Sequence, residues 1–119
     1  MFEKSSKHEV ATWDIMIGGY LDNRLADIAL AKFYEMKGIG VVPNEVTYLC
    51  ILKACGNMGD LTLGEFIHNE IETQGLLERN VALGNTLIDM YGKCGFIMKS
   101  KIVFDNLVQR DVVSWTALI

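Results

Sequence analysis

Four stretches of the chain align with one another without gaps: VATWDIMI at residues 10–17, EVTYLCIL at 45–52, VALGNTLI at 81–88 and VVSWTALI at 112–119. Their starting points are separated by 35, 36 and 31 residues, so the chain contains three consecutive units of unequal length. The only two tryptophans, Trp13 and Trp115, take the same position in the first and fourth stretches. Self-similarity at this period is typical of a repeat array.

Each unit contains two stretches of helical apolar periodicity, separated by a break near Asn23, Gly59 or Gly95. This pattern predicts two helices of about three turns per unit. The eighth position of every unit is apolar, and the twentieth position is small where two antiparallel helices must approach closely: Ala29, Gly64 and Ser100. We therefore predict an all-α fold, an α-solenoid of tandem antiparallel helix-turn-helix repeats with a concave face.

The same alignment predicts the boundaries of the repeats. Residues 1–9 match the end of a preceding partial repeat, residues 10–44, 45–80 and 81–111 are complete repeats, and residues 112–119 begin a truncated one. An Asn, Asp or Glu precedes each aligned stretch and is a plausible helix N-cap: Glu9, Asn44, Asn80 and Asp111. The chain has the pattern of an internal piece of a longer array.

Composition excludes several classes of protein. The formal net charge of −4 provides no bulk positive field for nucleic acid, so nucleic-acid binding must depend on placed residues. The odd number of cysteines, without a C-x-x-C spacing, argues for reduced thiols and against a disulfide framework or zinc site. We find no apolar run long enough for a membrane, no transit peptide and no paired acid-base or metal motif. We therefore predict no enzyme, no cofactor and no metal.

The motifs VPNEVTY (42–48), KACG (53–56), LIDMYGKCG (87–95) and RDVVSWTALI (110–119) resemble the pentatricopeptide repeat family of plant organelles across essentially the whole chain. The alternation of a standard, a long and a short unit resembles the mixed-length subclass, whose members commonly act in organellar RNA editing or processing. The resemblance implies recognition of single-stranded RNA at one base per repeat. It also implies a mitochondrial or chloroplast location, possible editing or processing proteins as partners, and no membrane.

The resemblance assigns the base-reading role to the fifth and the last residue of each unit. These residues pair as Asp14 with Asn44, Leu49 with Asn80, and Asn85 with Asp111, and Thr116 is the fifth residue of the truncated unit. The Asn85 and Asp111 pair resembles the family's uracil-favouring combination. Asp14 replaces the usual Asn, Ser or Thr, and Leu49 has no hydrogen-bonding group, so the base preference of those two units is open.

Two further positions carry implied roles in RNA binding. The second residue of each unit resembles the family's base-sandwiching aliphatic position: Ala11, Val46, Ala82 and Val113. Lys93, at position thirteen of its unit, resembles a phosphate-contacting lysine.

Plainer interpretations stay open beside these assignments. Asn44, Asn80 and Asp111 have the residue types of ordinary N-caps, and Asn85 and Lys93 are common surface residues. The acidic balance and Leu49 in a reading position also suit a protein-protein interaction scaffold of the helical-repeat type.

Overall fold

The computed structural model describes the backbone of residues 7–118 and the side chains of residues 9–107. This part of the chain forms six α-helices and no strand. The helices are α1 (Lys7–Asp22), α2 (Ala26–Gly38), α3 (Glu45–Met58), α4 (Leu61–Thr73), α5 (Val81–Lys93) and α6 (Ile97–Leu118), with a 3₁₀ turn at Leu76–Glu78. The predicted all-α helical-repeat fold is confirmed.

Side-chain caps and glycines set the ends of the helices. Asn44 caps α3 through a capping box, in which its Oδ1 accepts from the Thr47 backbone N–H at 2.9 Å and Thr47 Oγ1 accepts from the Asn44 backbone N–H at 3.1 Å. Asn80 caps α5 by accepting from the Leu83 backbone N–H at 3.2 Å. Gly59 and Gly95 follow α3 and α5 with positive φ, a conformation that glycine adopts without strain. The predicted breaks and these two caps are confirmed.

The predicted caps at Glu9 and Asp111 were wrong. Helix α1 begins at Lys7, so Glu9 lies in its first turn, where a carboxylate favours the helix dipole without capping. Helix α6 continues through residue 111 to Leu118, because no glycine or proline interrupts residues 97–118. The Asp111 side chain lies outside the described residues. The repeat boundary at residues 111 and 112 stays a prediction from the sequence.

The middle unit connects the array. Helix α3 packs against both α1 and α5, and it also contacts α2 and α4. The first helices of the three units therefore lie side by side, and the second helices pack beside them. Ile17 and Leu52, at the predicted apolar eighth position, are fully buried in the continuous core.

The small residues at the twentieth position allow close helix contacts, as predicted. Ala29 is fully buried. A Cβ atom at Gly64 would lie 2.6 Å from Sδ of Met90, so the buried Met90 side chain of α5 occupies the space beside this glycine of α4. The Ser100 hydroxyl donates to the Ile88 carbonyl at 2.9 Å and connects α6 to α5.

His68 lies between α4 and α5. Its Nδ1 is 2.7 Å from the hydroxyl of Tyr91, whose ring is fully buried. Burial lowers the pKa of His68, although Glu72, 3.4 Å from Nε2, partly offsets this effect. Burial also raises the pKa of Tyr91 to about 12, so at neutral pH both groups are neutral hydrogen-bonding partners.

Two kinds of feature are absent from the part of the chain that the structure describes. No helix there combines the length and apolar character that a membrane crossing requires. No cluster of three or more His, Cys, Asp or Glu side chains there could hold a metal ion.

The contact at Gly64 predicts a clear stability difference between two glycine substitutions. Gly64→Val should lower the free energy of unfolding by about 1–3 kcal/mol, because it overpacks the contact with the buried Met90 side chain. Gly19→Ala is the control, since its added Cβ meets no atom within 4 Å and should stabilise α1 by up to about 1 kcal/mol. Urea denaturation followed by circular dichroism measures both. Equal effects of the two variants would show that Gly64 does not set the helix spacing.

Candidate nucleic-acid interface

The predicted base-reading residues lie at two kinds of position. The fifth residues, Asp14, Leu49 and Asn85, lie on the first helices α1, α3 and α5. The described last residues, Asn44 and Asn80, are the N-caps of the next first helix. A reading pair therefore spans the junction between two consecutive repeats.

At the first junction the predicted pair is brought together. The Asp14 carboxylate accepts a hydrogen bond from the Thr47 hydroxyl and another from the Asn44 side chain. Thr47 lies on α3, in the following unit, and is fully buried. Sequence analysis did not identify Thr47 as part of this site, although its place three residues after an Asn is the signal of a capping box.

Asp14 is buried to an unusual degree for a charged residue, with 7% of its surface exposed. Burial raises the pKa of the Asp14 carboxyl, and the hydrogen bonds from Thr47 and Asn44 offset part of that increase. At this junction Asp14 is therefore buried, Asn44 is half-buried, and both are held by protein groups.

At the second junction Asn80 uses both ends of its amide. Its Oδ1 caps α5, and its Nδ2 donates to Glu45 Oε1 at 2.9 Å. Glu45 is the first residue of the same repeat, so this bond connects the start of the unit to its end. Leu49 is half-buried and packs against the core, without a polar atom beside Asn80.

The third unit differs because Asn85 is exposed on α5. Its side chain makes no hydrogen bond to any residue in the part of the chain that the structure describes. Its predicted partner Asp111 lies outside the described side chains, as do Val113 and Thr116. Asn85 is therefore the described fifth residue that offers a free amide to a ligand.

The predicted base-sandwiching residues form an exposed row. Ala11, Val46 and Ala82 are all exposed, within the first five residues of α1, α3 and α5, and Val46 exposes 51% of its surface. Because these three helices lie side by side, the row runs along the array beside the reading positions. Small and branched apolar groups of this kind can contact the flat faces of bases.

Two lysines lie further along the same helices, Lys53 on α3 and Lys93 at the end of α5. Lys93 is exposed but forms an ion pair with Asp89 at 3.2 Å, and its aliphatic stem covers Gly56 of α3. Lys53, on α3 one turn before Gly56, is exposed and has no ion pair with the described residues. Sequence analysis missed Lys53, although it begins the KACG motif, and it is the freer cation for a phosphate.

Comparison with known sequences identifies the array. A model of the PPR repeat family matches residues 8–57, and a PPR repeat model matches residues 46–76 and 85–112. The chain belongs to the pentatricopeptide repeat family. The two matches meet within the middle unit and together cover most of the described helices. Proteins of the family are generally RNA-binding organellar factors.

Relatives in Arabidopsis thaliana match the whole pentatricopeptide repeat chain. A putative pentatricopeptide repeat-containing protein is 43% identical over 119 residues, which is 100% of this chain and 17% of the relative. A relative named as mitochondrial is 37% identical over the same span, 18% of its length. A relative named as chloroplastic is 33% identical over 120 residues, 14% of its length. The chain spans less than a fifth of these relatives.

Burial of Asp14 predicts a pH-dependent effect of Asp14→Asn in this repeat chain. The folded state binds the Asp14 proton more tightly than the unfolded state, so stability falls as pH rises from the ordinary aspartate pKa of about 3.9 through the raised folded value. At neutral pH the free energy of unfolding is therefore still lowered by the cost of burying the Asp14 charge. Asp14→Asn should therefore unfold at a higher temperature than the wild type at pH 7, and the difference should shrink at acid pH.

Thermal melts from pH 3 to pH 8 measure this difference. Asp105→Asn removes the same charge from an exposed position on α6 and controls for net charge. If Asp14→Asn destabilised the protein at neutral pH, the junction would require the charged carboxylate, and a neutral side chain of the same shape would not be enough.

The contacts of Asn80 and Asn85 predict different stability effects. Asn80→Ala removes a helix cap and the bond to Glu45, and should lower the free energy of unfolding by about 1 kcal/mol. Asn85→Ala changes an exposed side chain and should stay within about 0.5 kcal/mol of the wild type. Denaturant titration compares them. A large cost at Asn85 would assign that residue to structure.

Proposed function

We propose that this chain is the RNA-reading part of an organellar RNA editing or processing factor of the mixed-length subclass, located in the mitochondrion or chloroplast. The observation that carries the proposal is the exposed amide of Asn85, which makes no hydrogen bond with the described residues and lies beside the row of apolar side chains on the first helices. The family membership supports the same function. In this proposal the chain is an adaptor without catalysis of its own, and its partners are single-stranded RNA and processing proteins.

The chemistry of Asn85 suits a base in single-stranded RNA. A side-chain amide both donates and accepts, so it can match the alternating groups on the Watson–Crick edge of an unstacked base. Asp111 supplies the carboxylate that completes the uracil-favouring pair in the family resemblance. Ala82 and Val46, exposed one row away, would contact the faces of the neighbouring bases.

Electrostatics limits the affinity of this chain. Neutralised phosphates supply much of the free energy of RNA binding. Lys53 has no ion pair with the described residues, whereas Lys93 is already paired with Asp89. The formal net charge of −4 opposes a polyanion further. We therefore expect the chain alone to bind RNA weakly, with a dissociation constant above about 1 µM at physiological salt, because so few phosphates are neutralised.

Fluorescence anisotropy with short labelled RNAs tests the proposal. One oligonucleotide contains a central uridine in an adenosine background and the other lacks it, and both are titrated at several salt concentrations. The uridine RNA should bind about three- to tenfold more tightly, the effect of about 0.5–1.5 kcal/mol from a net hydrogen bond. Asn85→Ala should remove the preference, and Asn69→Ala on α4 should keep it.

Two results would contradict the proposal. One is equal binding of both RNAs by the wild type, and the other is an Asn69→Ala protein that loses the preference together with Asn85→Ala. Submicromolar binding by the wild type would contradict the expected electrostatic limit.

A protein-interaction scaffold is the second candidate, favoured by a groove between the second helices α2 and α4. The groove has a volume of about 470 Å³, and its lining includes Phe33, Tyr34, Lys37 and Phe66. The Lys37 ammonium lies 4.9 Å from the Phe66 ring centroid and 5.5 Å from that of Phe33. Capture of a partner protein that is lost in Phe66→Ala and undisturbed by competing RNA would favour this function.

A further inference from the structure

We infer that Asp14, Asn44 and Thr47 form a clamp between repeats 10–44 and 45–80, and that the first of these repeats does not select a base. This inference rests on the proposed function, because it assigns base selectivity to the third repeat and withholds it from the first. The three residues are called the junction clamp below.

The hydrogen-bonding groups of the junction clamp are directed at one another. The Asp14 carboxylate accepts from the Thr47 hydroxyl and from the Asn44 amide. The Asn44 Oδ1 accepts from the Thr47 backbone N–H at 2.9 Å. The Thr47 Oγ1 accepts from the Asn44 backbone N–H at 3.1 Å. Each end of the predicted reading pair is therefore already engaged by a protein group.

Because Asp14 and Thr47 are buried, exchanging their hydrogen bonds for contacts with RNA would cost free energy. Asp14 is 7% exposed and Thr47 is 0% exposed, so little of either is available to the edge of a base. A base could bind Asp14 only if the carboxylate gave up its hydrogen bonds with the Thr47 hydroxyl and the Asn44 side chain, which lie in a buried junction. No buried side-chain nitrogen or oxygen lacks a partner in the described part of the chain, so this arrangement is fully satisfied.

The other junction shows that Thr47 makes the difference. The residue three places after Asn80 is Leu83, which has no hydroxyl, and Asn80 donates instead to Glu45 of its own repeat. Leu49 offers no polar group for a clamp there. In the third repeat the fifth residue, Asn85, remains exposed. Among the described fifth residues, the buried carboxylate with a threonine partner is therefore specific to the first repeat.

The clamp is tested without RNA by a double-mutant cycle of Asp14→Asn and Thr47→Val. Thr47→Val alone leaves the buried carboxylate short of a donor and should lower the folded-to-unfolded ratio about ten- to hundredfold. In the Asp14→Asn background the same change should cost less than about fivefold, because no charge is left uncompensated. Thr86→Val is the control, since the Thr86 hydroxyl donates within its own helix to the Ala82 carbonyl at 2.7 Å. It should show no coupling to Asp14.

The absence of base selection is tested by enrichment from a pool of short RNAs with randomised central bases. Wild type should enrich a base at one position, Asn85→Ala should lose that enrichment, and Asp14→Asn should leave the enriched pattern unchanged. A changed preference at a second position in Asp14→Asn would overturn the inference.

The stability cycle and the RNA enrichment test the clamp and the proposed function independently. If the effects of Asp14→Asn and Thr47→Val on stability are additive, the clamp is overturned, whatever the RNA result. A wild type that enriches no base overturns the proposed function, and the cycle then decides whether the clamp exists.

Discussion

Burial of apolar surface between neighbouring repeats is the constraint on which this structure depends. A single pair of short helices leaves one apolar face in water, whereas stacked pairs share their faces. Helix α3 shows this sharing, because it contacts α1 and α2 of the preceding unit, α4 of its own unit and α5 of the next. Tyr48, Ile51 and Leu52 on α3 are consequently buried in one continuous core. The first helices lie side by side because of this packing, and the candidate RNA-facing row follows from it.

The junctions between repeats have two tasks in the same few residues. Each must start a new helix, which requires a side chain that accepts from an exposed backbone N–H. In this family the same residue is also implied in reading a base. Asn44 and Asn80 both cap a helix, and both also give their amide to a carboxylate of the protein, Asp14 or Glu45. The hydrogen bonds that hold these junctions together therefore use the same side-chain groups that would recognise a base. Asn85 makes no such bond with the described residues.

Much of the fold could be predicted from the sequence, because it depends on local patterns. The apolar Ile17 and Leu52, the small Gly64 and the caps Asn44 and Asn80 all follow from periodicity and residue type, and the structure confirms them. Glu9 and Asp111 were wrong as caps because a polar residue before an aligned stretch does not stop a helix that continues through it.

The burial and pairing of the residues in the candidate site could be predicted only in part. The burial of Asp14 results from the contact of α1 with α3, thirty-three residues away in sequence, and no local pattern shows that contact. The pairing of Lys93 with Asp89 was available from the sequence, since residues four apart on a helix are neighbours. The lack of an ion pair between Lys53 and the described residues was less evident, because it depends on the positions of the helices around α3.

Nuclear magnetic resonance of the asparagine side-chain amides tests the central claim most directly. The ¹⁵N-labelled chain is titrated with a short uridine-containing RNA, and the amide signals are assigned through single Asn→Asp variants. We predict that the Asn85 signal shifts during the titration. The Asn44 signal should stay in place, because its side chain is held in the junction. A shift of Asn44 comparable to that of Asn85, or binding of the RNA without a shift of Asn85, would contradict it.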